Sequence, residues 1–528
     1  MQTMRISHDV VTALAEAEGV CVRPVLRRVT DRAAGNATTV PIPCGSTREG
    51  VCRPCAIQAR RLRMHQCSEG WHLAADPVSD DPELNGRSAE LVDDLTDPVE
   101  PDTVVPEVAQ PGDRRTRSTR RRSDAADLLR VPMAERTTGP TFTDERTGEV
   151  FRPSMFVTLT LSSYGRVVPG TGIPADPTRY DYRRAALDAL HFAKLVDRTW
   201  QNLRRCAGYK VQYFSAVEAQ RRLAPHLHAA IRGAIPRQVI KAVAKASYHQ
   251  LWWPPFEQVR YESSLPVWDH ATGRYVDPDT GESLPTWAEA LDRIDADPDA
   301  QPAHVTRWGR QVDIKGLLGG TPDSDRAVRY LCKYLTKAVS QTYADPETEA
   351  ANPTAASYEA HIDRLHAEVR WLPCSPICSN WLRFGTEPAE PGPGLIPGMC
   401  SSKAHDRENL GLGGRRVLVS RHWSGKTLSQ HRADRSAVVR AALEAAGIDP
   451  LQARRCAADV LDRDGLPRYV WEEVPAQDRD YTSAIVASIR QARTWRDQYE
   501  RAKVHAASTG PPVDSRSAVE KPAVHGAA

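Results

Sequence analysis

The chain has no run of about 18 consecutive apolar residues, so no membrane-spanning helix is expected. Its first residues, MQTMRISHDVVTALAEAEGV, carry acidic side chains and no apolar core segment, which argues against a secretory signal. Net charge is scant, a formal +3 over 528 residues, so bulk electrostatics names no partner and only local charge is informative. A disulfide framework is also missing. Eleven cysteines are an odd number, several stand at metal-ligand spacing, and both facts favour thiolates in a reducing, cytoplasmic compartment. The stretch GLGGRRVLVSRHWSGKTL (411–428) ends in SGKT, yet Ser420 occupies the position where a phosphate-binding loop needs glycine. No nucleotide-driven motor is expected.

What the chain has in quantity is proline (40) and glycine (32), the mark of a loop-rich protein, with length for roughly two to four domains. Residues 1–73 read as an amphipathic helix (Val10, Val11, Leu14, Ala17) followed by a cysteine module. There Cys52 and Cys55 form a CxxC whose sulfurs can reach one ion, and Cys44 and Cys67 would complete a tetrahedral zinc site. His65 or His72 could replace Cys67. Residues 74–149 read as a disordered linker, acidic and proline-rich between Asp76 and Glu107. A basic run follows (Arg114, Arg115, Arg117, Arg120, Arg121, Arg122), suited equally to gripping phosphates or to a solvated tether.

From 150 to 345 the pattern becomes globular. FVTLTL (156–161) reads as a strand, 185–208 as a helix closed by Gly208, 211–218 and 226–232 as strands, and 236–253 as a helix opened by Pro236. That order predicts an α+β domain: a ferredoxin-like, split-βαβ antiparallel sheet with helices on one face. An insertion at about 254–324 interrupts it, and around its start Trp252, Trp253 and Phe256 fit core positions better than a base-stacking platform. Residues 346–430 hold a second set of zinc-ligand type, Cys374, Cys378, Cys400 and His405, and a strand-containing segment. Residues 431–528 read as helical with a disordered tail.

Two pieces carry chemistry. On a strand, alternate side chains share a face, so His226 and His228 project together, and the short turn after 218 returns Glu218 beside them. Two imidazoles and a carboxylate suit a divalent cation with positions left open. On a helix over 326–341, Tyr330, Lys333, Tyr334 and Lys337 fall in one arc, while Val328, Leu331, Cys332 and Leu335 form the opposite, apolar side. A metal site facing such a stripe is what phosphodiester transesterification requires.

FVTLTL, PHLHAAIRG and the doubled YxxK of YLCKYLTK, in this order, resemble the three motifs of the HUH endonuclease superfamily. Within it the chain resembles rolling-circle replication initiators of actinobacterial plasmids and integrative elements, and the likeness takes in VCRPCA and WLPCSPICSNWLRFG. The resemblance implies that His226 and His228, with Glu218 as third ligand, bind Mg²⁺ or Mn²⁺. It implies that Tyr330 attacks the scissile phosphate, leaving a 5′-phosphotyrosyl link and a free 3′-hydroxyl. Tyr334 would be a second nucleophile or a packing residue, and Lys333 and Lys337 would favour the phenolate or touch phosphate. The implied partners are single-stranded or extruded origin DNA and a host helicase and polymerase. Two other readings compete: a non-enzymatic, zinc-containing nucleic-acid-binding protein, and a relaxase or transposase of the same superfamily.

Overall fold

The computed structural model describes residues 7–73, 127–134, 153–318, 321–333, 335–336, 353–413, 416–445 and 465–509, with single positions between 142 and 151 and at 461. Most of the expected linker, its arginine run and the expected tail lie outside the described residues. The chain forms two compact units: Met1–Leu62 with Leu428–Ala528, and Arg63–Thr427. Among the described residues, no helix is long and apolar enough to cross a membrane.

In the first unit, the helix His8–Ala17 is capped by Ser7, whose side chain accepts from the Val10 amide. A three-stranded antiparallel sheet follows, with Val25–Asp31 between Asn36–Ile42 and the distant Tyr469–Glu473. The carboxy-terminal helix Tyr481–Thr509 places Ile485 and Ile489 against Val11, Ala15, Val20 and Val22. Residues near the two ends of the chain thus share one core, where the sequence reading kept 1–73 and 431–528 apart.

The second unit is built on six antiparallel strands. In chain order these are β1 (Pro153–Leu161), β2 (Tyr213–Ala219), β3 (Pro225–Arg232), β4 (Tyr248–Leu251), β5 (His304–Leu318) and β6 (Val417–Val419). Their order across the sheet is β6-β2-β3-β1-β5-β4. This is the expected α+β antiparallel class. The residues of β1 alternate: Met155, Val157, Leu159 and Leu161 join Leu227, Ala229 and Ile231 on one face, covered by α2 (Phe192–Ala207) and α3 (Arg237–Ala246). The opposite face offers Phe214, Ala216 and Ala230, which are also apolar and need cover. Trp71, Trp423 and helix α4 (Pro322–Leu331) supply it, α4 through Val328 and Leu331. Helices therefore flank both faces, where one was expected. Val328 and Leu331 are almost fully buried, worth about 1.5–3 kcal/mol each, and they hold α4 on the sheet.

Other expectations shift locally. The helix read over 185–208 is two, α1 (Tyr182–Leu190) and α2, joined at His191 (φ −105°, ψ 7°), and Gly208 closes α2 in the left-handed region (φ 69°) as expected. The helix read over 236–253 stops at Ala246, because Tyr248–Leu251 pairs with the amino-terminal end of β5. β5 lies partly inside the expected insertion, so the segment between β4 and β5 is shorter than 254–324 and holds the hairpin Val267–Asp269/Arg274–Val276 and the helix Trp287–Ala296. Phe256 is buried there against Trp381 and Phe384, as core. A register shift between Trp308 and Val312 bends β5, and a Cβ at Gly309 would come within 2.9 Å of the Thr160 carbonyl, so only glycine fits.

Candidate metal and tyrosine site

Strand register assembles the site. Antiparallel pairing sets Glu218 of β2 and Thr160 of β1 directly across from His226, and Thr158 across from His228, all on one face. The hairpin turn is tight: the Gln220 amide bonds the Ala224 carbonyl, and Leu223 takes a positive φ of 57°. Glu218 Oε2 thereby lies 3.1 Å from His228 Nε2 and 3.4 Å from His226 Nε2. The three donor atoms fall within 4.8 Å of one another, and all three residues are buried. Burial, opposed by Glu218, holds the His226 imidazole below its ordinary pKa and so keeps it neutral, with a lone pair to give. Two imidazoles and one carboxylate, converging by Nε2 and Oε2, fit a divalent cation.

Thr158 Oγ1 lies 2.9 Å from His228 Nδ1, the nitrogen that points away from this cluster. A hydroxyl can donate or accept. It therefore serves His228 in either tautomer: accepting from Nδ1–H when Nε2 offers its lone pair, or donating when Nε2 carries the proton. The Nδ1 of His226 has no such partner among the described residues.

Helix α4 brings the phenol. Its start is strongly specified: Thr321 caps it, Pro322 occupies the first turn, and Ser324 completes a reciprocal capping pair with Thr321. At its other end Tyr330 points toward the sheet. Its Oη lies 3.3 Å from His228 Nε2, and its ring meets the imidazole edge-on at 4.9 Å. Phe156 fills the corner, 5.8 Å from the His228 ring and 6.0 Å from that of Tyr330. Unlike the three buried groups, Tyr330 is 42% exposed and open to a polymer arriving from solvent.

The helix does not continue to 341 as expected. It ends at Leu331, where Cys332 turns out of it (φ −95°, ψ 2°) and the Lys333 amide bonds the Tyr330 carbonyl. Lys333 is exposed just beyond Tyr330, while Tyr334 and Lys337 lie outside the described residues. A cation the sequence reading passed over is Lys315 of β5, which pairs across from Phe156 on the site face. Its side chain is 67% exposed, with Asp323 at 3.9 Å.

The cysteines sort differently from their spacing. Cys374, Cys378, Cys400 and His405 do come together, with Cys374 Sγ 3.9 Å from Cys400 Sγ and Cys378 Sγ 3.5 Å from His405 Nε2. His405 Nδ1 lies 2.8 Å from the Val369 carbonyl, a bond that presents Nε2 to the thiols. Near the amino terminus the set is Cys21, Cys44, Cys52 and Cys55. Cys67 is not part of it, being fully buried among Trp71, Cys332 and Trp423 in the other unit. His65 is not part of it either but lies 3.4 Å from Glu69, and the side chain of His72 lies outside the described residues. Both four-residue sets have the donor types that zinc takes.

Among known proteins, a family model described as "Replication initiator protein, pSAM2" matches residues 7–506. A curated "Replication initiator protein" of Streptomyces ambofaciens is 28% identical over 225 residues, which is 36% of this chain and 43% of that protein. The chain thus spans less than half the length of this relative. No solved structure matches the chain at a significant level.

Proposed function

Because the chain belongs to the family of pSAM2-type replication initiator proteins, we propose that it nicks and rejoins one strand of its replicon's origin, by tyrosine transesterification on an HUH-type sheet, to start rolling-circle replication. The observation that carries this reading is the 3.3 Å separation of Tyr330 Oη from His228 Nε2, with Glu218 beside the same nitrogen. A buried triad of metal-ligand type and an exposed phenol have no structural need to meet at one point. Their meeting suits one phosphodiester bound between them.

Glu218, His226 and His228 would hold Mg²⁺ or Mn²⁺. The bound cation supplies Lewis-acid polarisation of a phosphate oxygen. Tyr330 is the nucleophile. As its Oη–P bond forms, the bond from phosphorus to the 3′ oxygen breaks; the phenol loses its proton and the departing 3′ oxygen gains one. The products are a 5′-phosphotyrosyl linkage and a 3′-hydroxyl able to prime synthesis, and the conserved diester permits rejoining. A free phenol has a pKa near 10, so nearby ammonium charge would help; Lys333, exposed in the turn beyond Tyr330, and Lys315, across from Phe156 in the sheet, are the candidates to favour the phenolate or to bind flanking phosphates. Tyr334 is a second nucleophile or a packing residue, and Lys337 a further cation for the phenolate or a phosphate, as the doubled YxxK suggests. Cys374, Cys378, Cys400 and His405 form a structural zinc site that ties the helix Pro353–Trp371 to the loops after it. The substrate is single-stranded or extruded origin DNA, with a host helicase and polymerase acting downstream.

The test is incubation of the full chain with Mn²⁺ and a labelled single-stranded oligonucleotide tiled across its own replicon's origin. A protein–DNA band that survives denaturation supports the reading. Absence of any such band across the whole tile set overturns it.

A further inference from the structure

Cys21 has no place in any motif legible in the sequence, yet folding puts it at the centre of a cysteine cluster. We propose that Cys21, Cys44, Cys52 and Cys55 form a structural four-thiolate zinc centre on which the whole first unit, including its carboxy-terminal helix, depends. The inference is independent of the nicking reading.

The local structure builds the site from three directions. Cys21 shortly precedes the strand Val25–Asp31, and Cys44 shortly follows its partner Asn36–Ile42. Pairing of Val25 with Ile42 therefore closes the open end of a hairpin and brings the two thiols together. Gly45 turns the chain at a φ of 69° just after Cys44. The other two ligands begin a helix. Cys52 has extended backbone angles (φ −157°, ψ 97°) at the entry to the continuous part of the helix Glu49–His72, so Cys55 sits one turn inside it. Pro54 is tolerated there because a first-turn residue needs no amide partner. Thiolates at that end face the positive pole of the helix.

Distances favour an ion over a disulfide. Cys21 Sγ and Cys52 Sγ are 3.8 Å apart, and all four sulfurs fall within 4.8 Å of one another. Four thiolates at about 2.3 Å from zinc span tetrahedral edges of roughly 3.8 Å, whereas a disulfide brings sulfurs to about 2.05 Å. The Cys44 amide donates to Cys21 Sγ at 3.3 Å, the kind of bond that orients a metal-bound thiolate. Cys21, Cys52 and Cys55 are buried and Cys44 is half-buried, which suits a closed structural site rather than a reactive one.

The fold explains why the unit needs it. The apolar cluster around the thiols holds Val11, Ala15, Val20, Val22, Ile485 and Ile489 and, among the described residues, no aromatic side chain. A core this thin stabilises little by itself, and a structural zinc centre adds its binding free energy directly to folding. Because Ile485 and Ile489 pack on the same cluster, loss of the ion would release the helix Tyr481–Thr509, distant from the thiols in sequence.

The experiment measures zinc in the purified full chain by mass spectrometry of the metal, in wild type and in Cys21→Ser and Cys67→Ala variants. The expected result is loss of one zinc equivalent in Cys21→Ser and none in Cys67→Ala. Limited proteolysis of wild type after chelation should expose new cleavage within 481–509, reversed by added Zn²⁺. In case Cys21→Ser fails to fold, Co²⁺ substitution of the wild-type chain provides a second readout: a four-thiolate site gives an intense sulfur-to-cobalt charge-transfer band. An unchanged zinc content in Cys21→Ser, a charge-transfer band of no more than the strength expected from the Cys374 set alone, or disulfide-linked Cys21 in protein purified under reducing conditions would overturn the proposal.

Discussion

Thr158→Val is the most informative single change at the site. Valine keeps the β-branched shape that β1 accommodates and removes only the hydroxyl 2.9 Å from His228 Nδ1. That hydroxyl partners the nitrogen of His228 directed away from Glu218, and the equivalent nitrogen of His226 already lacks a partner among the described residues. With Thr158 gone, neither imidazole would have its far nitrogen fixed. Outer partners of ligating histidines typically contribute 10–100-fold in metal affinity, or about 1.4–2.7 kcal/mol. Titration calorimetry of Mn²⁺ into Thr158→Val should show weakening in that range, and Thr158→Ser, which restores the hydroxyl, should recover most of it. Chemical unfolding should change by only about 1 kcal/mol, the usual net worth of one hydrogen bond. If Thr158→Val binds Mn²⁺ within about twofold of wild type, His228 is not held as a ligand through Thr158 and the reasoning fails.

Three further outcomes are expected. Tyr330→Phe should abolish the covalent adduct while Mn²⁺ affinity, read by calorimetry, stays near wild type, because the ring packing on Phe156 is retained; an undiminished adduct would move the nucleophile elsewhere. Glu218→Gln keeps the shape but removes the only carboxylate of the triad, and should weaken Mn²⁺ binding by at least about tenfold in the same titration. His361, buried beside Tyr182, has its pKa pushed down to about 4 by burial. Its unfolded value is near 6.5, so below that pH the unfolded chain takes up a proton that the folded chain refuses. Stability of the second unit should thus be complete above pH 6.5 and fall by about 2 kcal/mol by pH 5 from this group, with His249 adding in the same direction. Urea titrations at pH 7 and pH 5 read it, and equal midpoints would contradict the assignment.

The HxH strand was legible because strand periodicity alone decides that residues 226 and 228 share a face, and Tyr330 because the apolar positions Val328 and Leu331 orient the helix that carries it. Where that helix ends was not legible. LCKYLTKAVSQ has no glycine or proline to mark a stop, so the turn at Cys332 depends on tertiary surroundings. β5 was hidden for a different reason: much of it is solvent-exposed, and its polar, glycine-interrupted sequence reads as loop. Cys21 was missed because hairpin closure, and no sequence spacing, brings it to Cys44. Lys315 was missed because only its register opposite Phe156 brings it to the site face.

The central claim is that the imidazole–carboxylate face and Tyr330 act on the same linkage, and trypsin offers a direct test. Cleavage after Arg329, Lys333 and Lys337 releases the two tyrosines in separate tetrapeptides, YLCK and YLTK, which Cys332 and Thr336 distinguish by mass. After reaction with origin oligonucleotide and Mn²⁺, followed by nuclease and trypsin, the first nicking event should leave a nucleotide on the peptide of Tyr330, and it should be lost when His226 and His228 are replaced by alanine. A nucleotide found only on the Tyr334 peptide, on neither peptide, or on Tyr330 regardless of the histidines would contradict the account.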